Sequence, residues 1–116
     1  MRLLNPELLR NNCADDQVMM REIIDMGLQS VNDSLTGIDS FLEKKDWDNL
    51  ARVLHKLRPV LCYCGINGLS DELLLLEHHA KERKELAEIP ARTAAMIENL
   101  QQARAEMEQQ RSLLSS

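Results

Sequence analysis

The stretch "LARVLHKLRPVLCYCG", residues 50–65, gives the clearest indication of the fold in this sequence. On a helical wheel at about 100° per residue, its apolar side chains fall within an arc of roughly 100°, the pattern of a helix with one buried face. His55 lies roughly 150° from the centre of that arc, so its imidazole is predicted to face solvent. The side chains in the arc are Leu50, Val53, Leu54, Leu57, Leu61 and Cys64.

Helices on both sides of this stretch make the whole chain of 116 residues all-α. Capping residues, prolines and glycines place the helix ends. One long helix through Gly27 and Gly37 is favoured over a bend at either glycine. The predicted helices run from Pro6 to about Asn11 after a cap at Asn5, from a cap at Asp15 or Asp16 to Lys44 or Lys45, from Trp47 to about Cys64 after a cap at Asp46, from a cap at Ser70 or Asp71 to the charged segment 81–90, and from Pro90 onward.

The connections between the predicted helices are short, which makes consecutive helices antiparallel. The predicted architecture is therefore an antiparallel up-down four-helix bundle with a short additional N-terminal helix, in a single domain over residues 1–116. The last residues, 112–116, are expected to fray. The alternative is a pair of long hairpins that dimerise into a bundle.

Apolar residues recur at spacings of three and four in the other long helices, and these positions predict which sides are buried. The predicted apolar positions are Val18, Met19, Ile23, Ile24, Met26, Leu28, Val31, Leu35, Ile38 and Leu42 in the second helix, Leu73, Leu74, Leu76 and Ala80 in the fourth, and Ala94, Ile97, Leu100, Ala103, Ala105 and Met107 in the fifth.

Composition argues against several classes of function. The net charge of -5 argues against nucleic-acid binding, which depends on clustered cations. No apolar run reaches the 18 or so residues of a membrane span, so a soluble protein is predicted. The three cysteines lack zinc-site spacing and follow no signal peptide, which predicts free thiols in a reducing cytoplasm. The neighbouring His78 and His79 point about 100° apart, so no metal site is predicted.

His55 stands among cations: Arg52, Lys56 and Arg58 lie within a turn of it. A neutral imidazole has a ring-nitrogen lone pair that can attack phosphorus, and the anionic product is stabilised by nearby Lys or Arg. Pro59, four residues after the histidine, removes the amide that would bond the His55 carbonyl. This predicts a kink or a widened helical turn directly beneath the imidazole.

A longer pattern extends from His55 towards the C-terminus. Leu57 and Arg58 follow the histidine, Gly65 stands ten residues after it, Leu69 four further on, and an apolar stretch ends in Leu76-Glu77. This pattern resembles the histidine-containing phosphotransfer (HPt) domains of multistep two-component phosphorelays, with roughly H-x-L-K-G at the histidine. The preceding "LEKKDWDNLARVLHKL" resembles the family's helix entry, and the resemblance covers about residues 16–110. Arg58 replaces the family's lysine, and Pro59 replaces a small glycine that leaves room for the partner.

The resemblance implies a phosphoryl carrier with no intrinsic kinase activity, expected to be a monomeric, cytoplasmic, bacterial protein. Its partner would be a response-regulator receiver domain or a hybrid sensor histidine kinase. The partner receiver would supply Mg²⁺, and the carrier would need no cofactor of its own. The implied roles are His55 as phosphoryl acceptor and donor, Arg58 and Lys56 as phosphate-stabilising cations, Arg52, Pro59 and Cys62 as receiver-docking residues, and Gly65, Leu69, Leu76 and Glu77 as structural motif residues.

Three other functions fit parts of the pattern. "HKLRP" is similar to the H-box of sensor kinases, but there the residue after the histidine is usually acidic and the proline stands one place further on. A dimerisation fragment of that class would be dimeric, whereas the HPt interpretation expects a monomer. A metal site would use His78, His79, Cys62 or Cys64. A phosphotransfer-inactive helical adaptor would pair its charged fifth helix with a partner and would not need His55.

Overall fold

The computed structural model describes residues 2–114, which form α-helices and no strands. This confirms the predicted all-α bundle with a short N-terminal helix. Met1, Ser115 and Ser116 lie outside the described residues, and so do the predicted domain limits and the predicted fraying of the last two serines. The helices are α1 (Pro6–Asn12), α2 (Gln17–Glu43), α3 (Trp47–Tyr63), α4 (Ser70–Glu82) and α5 (Ile89–Leu113).

Three helices begin at the caps that the sequence predicts. The Asn5 side chain accepts hydrogen bonds from the amides of Glu7 and Leu8, and Asp16 caps α2 in the same way. Asp46 accepts from the Asn49 amide at the start of α3. Because a side-chain oxygen satisfies amides that have no partner inside the helix, these caps fix where α1, α2 and α3 start.

The start of α4 differs from the prediction. Leu69 occupies the N-cap position and makes no side-chain hydrogen bond, so neither Ser70 nor Asp71 caps the helix. Both residues lie in the first turn instead, where the Asp71 carboxylate interacts favourably with the helix dipole. Burial of Leu69 holds this end of α4 in place of a polar cap.

The four long helices pack around one core. α3 lies against α2 and α4, and α5 lies against α2 and α4. The antiparallel order of α2 and α5 is visible in their side-chain bonds, because Asp25 bonds Arg111 while the later Asn32 bonds the earlier Arg104. The predicted face of α3 is confirmed: Leu50, Leu54, Leu57, Leu61 and Cys64 are buried and Val53 is half-buried.

The buried faces of α2 and α5 are rotated from the predicted ones. Each helix buries a stripe with alternating spacings of three and four, and each stripe includes small or polar residues that the apolar pattern passes over. Alanines fit either side of a helix, so they do not fix its orientation. Buried are Met20, Ile24, Gly27, Val31, Ser34 and Ile38 in α2, and Thr93, Met96, Leu100, Ala103, Met107 and Gln110 in α5; Val18, Met19, Met26, Leu74, Ala94 and Ala105, predicted to be buried, are exposed.

α2 is continuous through both of its glycines, as predicted. Gly27 is buried, and a Cβ atom there would lie 2.5 Å from Cys64 Sγ. The glycine therefore provides space for the end of α3 and does not bend α2. The widened turn predicted at Pro59 is not present, since α3 is α-helical from Trp47 to Tyr63; the kink predicted as its alternative stays a prediction. One further local prediction is wrong. The segment 112–114 does not fray: α5 reaches Leu113, and the Leu114 carbonyl accepts a 3.0 Å hydrogen bond from Arg21.

Candidate functional site

His55 lies in the middle of α3 and presents an exposed imidazole. Its side chain is 70% exposed, and Nδ1 lies 3.1 Å from Oε2 of Glu77 on the antiparallel α4. A carboxylate can only accept, so Nδ1 carries the proton and donates it to Glu77. The other ring nitrogen, Nε2, then keeps its lone pair and faces outward. The pair therefore fixes a tautomer in which the accessible nitrogen is a nucleophile.

Glu77 is a well-fixed partner for the imidazole. Its side chain is 14% exposed, and Oε1 is buried without a hydrogen-bond partner among residues 2–114. The neighbouring Leu76 is fully buried and holds this turn of α4 against the core. The resemblance to HPt domains marks Glu77 only as a motif residue, because its contact with His55 depends on how α4 is aligned with α3.

A surface pocket of about 400 Å³ lies between α3 and α4 beside His55. We call it the α3–α4 pocket. Arg52 is exposed there and donates one hydrogen bond to Asn49 Oδ1 at 3.1 Å. The lining residues are Asp48, Ala51, Arg52, His55, Glu77 and Lys81.

Asp48, one of the residues that line this pocket, forms an ion pair with Arg83. Arg83 Nη1 lies 3.0 Å from Asp48 Oδ1. The hydrogen bond from Arg83 and its positive charge hold the pKa of Asp48 below its ordinary value. The Asp48 carboxylate is thus ionised and paired mainly with Arg83, and the charge of Arg52 in the pocket also contributes to lowering its pKa.

The two cations predicted to stabilise phosphate lie outside this pocket. Lys56 lines a separate depression between α2 and α3, together with Ser30, Asp33 and Ser34. Arg58 is half-buried on α3 and is not part of the lining of either surface. The structure therefore brings Arg52 and the unpredicted Lys81 into the pocket with His55, and it does not bring Lys56 there.

A second concave surface lies on the other side of His55 along α3, with a volume of about 440 Å³. We call it the α1–α3 groove. Asn12 on α1 closes one side of it, donating to the carbonyls of Cys62 and Tyr63 at 3.1 and 3.3 Å. The predicted docking residues Pro59 and Cys62 both line this groove. The lining residues are Leu8, Asn12, Pro59, Cys62, Tyr63 and Asn67.

The sequence does not predict the contributions of α1 to this groove, because the pattern of a short helix does not indicate where the helix packs. Tyr63 did carry a signal, since it is an aromatic residue on the side of α3 away from the core, and it is 57% exposed.

Gly65 explains why α1 lies where it does. Its φ of +85° is in the left-handed region, and a Cβ atom there would lie 2.6 Å from the Asn5 carbonyl oxygen. The Gly65 carbonyl in turn accepts a 2.9 Å hydrogen bond from the Asn5 amide. Gly65 thus joins the end of α3 to the start of α1. The other motif residues, Leu69 and Leu76, are buried in the core.

The remaining titratable candidates do not form a site. Cys64 is buried, donates to the Ile23 carbonyl, and has its pKa raised to about 12 by burial and by Cys13, so it is no nucleophile near neutral pH. His78 is exposed and His79 is buried. Across residues 2–114 no group of three or more His, Cys, Asp or Glu side chains is placed to hold a metal ion. The described helices also include none long and apolar enough to cross a membrane.

The fold and the site together define a class of protein: a helical bundle that presents one imidazole, oriented by a carboxylate, on the outside of a helix. The sequence model of the Hpt domain matches residues 22–111. The chain belongs to the Hpt domain family, the phosphotransfer modules of two-component signalling.

Comparison with solved structures agrees with this assignment at the level of the fold. The chain is similar to the crystal structure of the HPT domain from a sensor hybrid histidine kinase of Shewanella, with a TM-score of 0.87 and 21% sequence identity. The match covers 98% of this chain and 97% of the other. No curated protein matches the chain.

Proposed function

We propose that His55 accepts a phosphoryl group from, and donates it to, the phospho-aspartate of response-regulator receiver domains in a multistep phosphorelay. The observation that carries the proposal is the hydrogen bond from His55 Nδ1 to Glu77, made by an imidazole whose side chain is 70% exposed. It leaves Nε2 as an accessible lone pair that a second protein can reach.

The chemistry follows from that tautomer. Nε2 attacks the phosphorus of the aspartyl phosphate, the P–O bond to the receiver carboxylate breaks, and the carboxylate leaves with the electron pair. The ring then carries phosphorus on Nε2 and a proton on Nδ1, so it gains positive charge. Glu77, whose carboxylate accepts the Nδ1 proton in a hydrogen bond, stabilises that charge. Transfer in the other direction reverses the same steps.

The partner receiver domain supplies the rest of the chemistry. It holds the Mg²⁺ ion and most of the groups that stabilise the transferring phosphoryl group, so the carrier contributes position and charge. On this chain Arg58, three residues after His55 and on a neighbouring ridge of α3, is proposed to stabilise the phosphoryl group. Lys56, assigned the same role by the sequence pattern, faces the depression between α2 and α3 and would have to turn away from it to take part.

Docking of the receiver is proposed on both sides of His55. Pro59 and Cys62 line the α1–α3 groove and offer apolar surface without a strong donor, while Arg52 lies in the α3–α4 pocket. An apolar patch beside charged residues is the usual composition of a transient protein interface. The carrier is proposed to act as a monomer, since each chain holds a complete site.

The test is phosphoryl transfer from a radiolabelled receiver domain to the wild type and to the variant His55→Gln. We expect an acid-labile, alkali-stable label on the wild type and none on the variant. His78→Gln is the matched control, because His78 is also an exposed histidine, on α4. An unlabelled wild type with several charged receivers, or a labelled His55→Gln, would overturn the proposal; the first outcome favours a phosphotransfer-inactive adaptor.

A further inference from the structure

We infer that Lys81, on α4, binds the phosphoryl group carried by His55, and that Arg52 assists it from α3. The inference rests on the proposed function of His55. It adds the cations of the α3–α4 pocket to the role proposed for Arg58, and it gives Lys81 the role that the sequence pattern places on Lys56.

The position of Lys81 follows from its register with Glu77. The two residues are four apart on α4 and therefore share one face of that helix. Glu77 is the residue that bonds the His55 ring, so the same face brings Lys81 to the imidazole, and both residues line the α3–α4 pocket. The lysine ammonium is carried on a flexible four-carbon stem and can turn towards a group attached to Nε2.

The charge of Lys81 is available. Within residues 2–114 its ammonium makes no ion pair or side-chain hydrogen bond. Of the two carboxylates in the pocket, Asp48 is paired with Arg83, and Glu77 bonds the His55 ring through Oε2 while its Oε1 is buried and makes no hydrogen bond within residues 2–114. A phosphoryl group on Nε2 would thus bring two negative charges beside an ammonium that has no ion-pair partner among the described residues.

Arg52 is the second cation of the pocket and stands one turn before His55 on α3. One of its guanidinium nitrogens already donates to Asn49, and its other donors can reach a neighbouring anion. Lys56 lacks this geometry. It adjoins His55 in sequence but lies in the depression that contains Asp33.

The contrast between two lysines gives the test. Lys81→Gln removes the proposed contact, and Lys56→Gln removes an equal charge from an exposed site one residue from the histidine. With a phosphorylated receiver as donor, we expect Lys81→Gln to lower the transfer rate about tenfold, the effect of losing one charge-assisted hydrogen bond. Lys56→Gln is expected to stay within about twofold of the wild type. The opposite ranking of the two variants would overturn the inference.

A second measurement does not depend on any receiver. Phosphoramidate, a small phosphoryl donor, is added to the wild type and both variants: Nε2 attacks phosphorus, the P–N bond to ammonia breaks, and ammonia leaves. The ³¹P signal of the product is then followed against pH. If Lys81 contacts the phosphoryl group, its positive charge makes that group lose its last proton at a lower pH. The wild type and the control Lys56→Gln should therefore titrate at a lower pH than Lys81→Gln.

The two measurements separate the possible failures. Identical ³¹P titrations of the wild type and Lys81→Gln would refute the inference even where receivers label His55 normally. A wild type that no receiver labels, with a titration that still differs in Lys81→Gln, would refute the proposed function and leave the phosphoryl-binding role of Lys81 supported.

Discussion

The α3–α4 pocket and the α1–α3 groove lie on opposite sides of the same histidine and are built differently. The pocket lies between two long helices of the bundle, and its lining carries several charged side chains. The groove depends on the seven-residue α1 and the loop after α3, and its lining is mostly apolar. The pocket should therefore persist as long as the bundle does, whereas the groove depends on whatever holds α1.

Burial of Leu4, Leu9 and Cys13 in the core holds α1 and the segment before it, and a few hydrogen bonds fix their position. The Asn5 amide donates to the Gly65 carbonyl, and the Asn12 side chain donates to the last turn of α3. Before α1, the amides of Leu3 and Leu4 donate to the Glu106 carboxylate on α5 at 2.7 to 3.1 Å. Variants at these points should damage the groove and spare the pocket, which allows chemistry and docking to be tested separately.

Gly65→Ala should have the largest effect on stability. Alanine at a φ of +85°, with its Cβ 2.6 Å from the Asn5 carbonyl oxygen, is expected to lower the free energy of unfolding by about 3 kcal/mol. Urea denaturation measures the loss, and hydrogen exchange should show α1 amides opening while α3 amides stay protected. Gly68→Ala is the matched control, since a Cβ there meets nothing within 4 Å. Equal stability of the two variants would mean that α1 is not held through Gly65.

Pro59→Ala should act in the opposite direction. It restores the amide that can bond the His55 carbonyl and removes the ring that crowds it, so the free energy of unfolding should rise by about 2 kcal/mol. Thermal melting measures the change. Pro90→Ala is the control, because Pro90 lies in the first turn of α5 where no intrahelical bond is lost. A lower melting temperature for Pro59→Ala would show that contacts of the proline ring in the groove outweigh its missing hydrogen bond.

The sequence predicted those parts of the fold that local signals specify. The face of α3 was predicted because its leucines recur on one side, and three helix starts were predicted from capping side chains. The orientations of α2 and α5 were not, because their buried stripes contain Gly27, Ser34 and Thr93, while apolar residues such as Met19 remain outside. A small or polar residue is buried when a neighbouring helix packs over it. The apolar pattern of one helix does not show where its neighbours pack, so it cannot predict such positions.

The site likewise has one part that the sequence predicts and one part that it does not. Exposure of His55 follows from its angle on α3 alone, and that expectation agrees with the structure. The partners of His55 do not follow, since Glu77 and Lys81 reach it only through the alignment of α4 with α3. Lys56 illustrates the converse: it is adjacent in sequence but faces α2, because successive residues on a helix point about 100° apart.

Glu106→Gln tests the hydrogen bonds that attach the segment before α1 to α5. Burial alone would raise the pKa of Glu106, but the hydrogen bonds from the Leu4 amide, the Gln102 side chain and the Leu3 amide outweigh it and hold that pKa below its ordinary value. At neutral pH the variant should be less stable by about 1.5 kcal/mol, because a charged acceptor of buried amides is lost.

The pH dependence of this effect has a definite sign. A carboxyl whose pKa is lower in the folded state stabilises the fold above its unfolded pKa, and the stabilisation disappears as the pH falls through the folded pKa. The difference between wild type and Glu106→Gln should therefore shrink in urea titrations below about pH 4. Glu108→Gln, exposed on the same helix, should show neither effect. A difference that stays constant down to pH 2 would mean that the charge of Glu106 is not what holds Leu3 and Leu4.

Glu77→Ala should have the smallest effect in energy but the most specific one, because it changes chemistry without changing docking. Without the carboxylate both ring tautomers form, and the charge that develops on the ring loses its partner, so transfer at saturating receiver should slow about fivefold, or about 1 kcal/mol. Glu77→Gln keeps an acceptor for the Nδ1 proton without the charge, so its transfer rate should lie between those of the wild type and Glu77→Ala.

Tyr63→Ala, in the α1–α3 groove, is expected to weaken receiver binding and leave the transfer rate at saturating receiver unchanged. If Tyr63→Ala slowed the saturated rate as much as Glu77→Ala, the α1–α3 groove would take part in the chemistry, and its assignment to docking alone would be wrong.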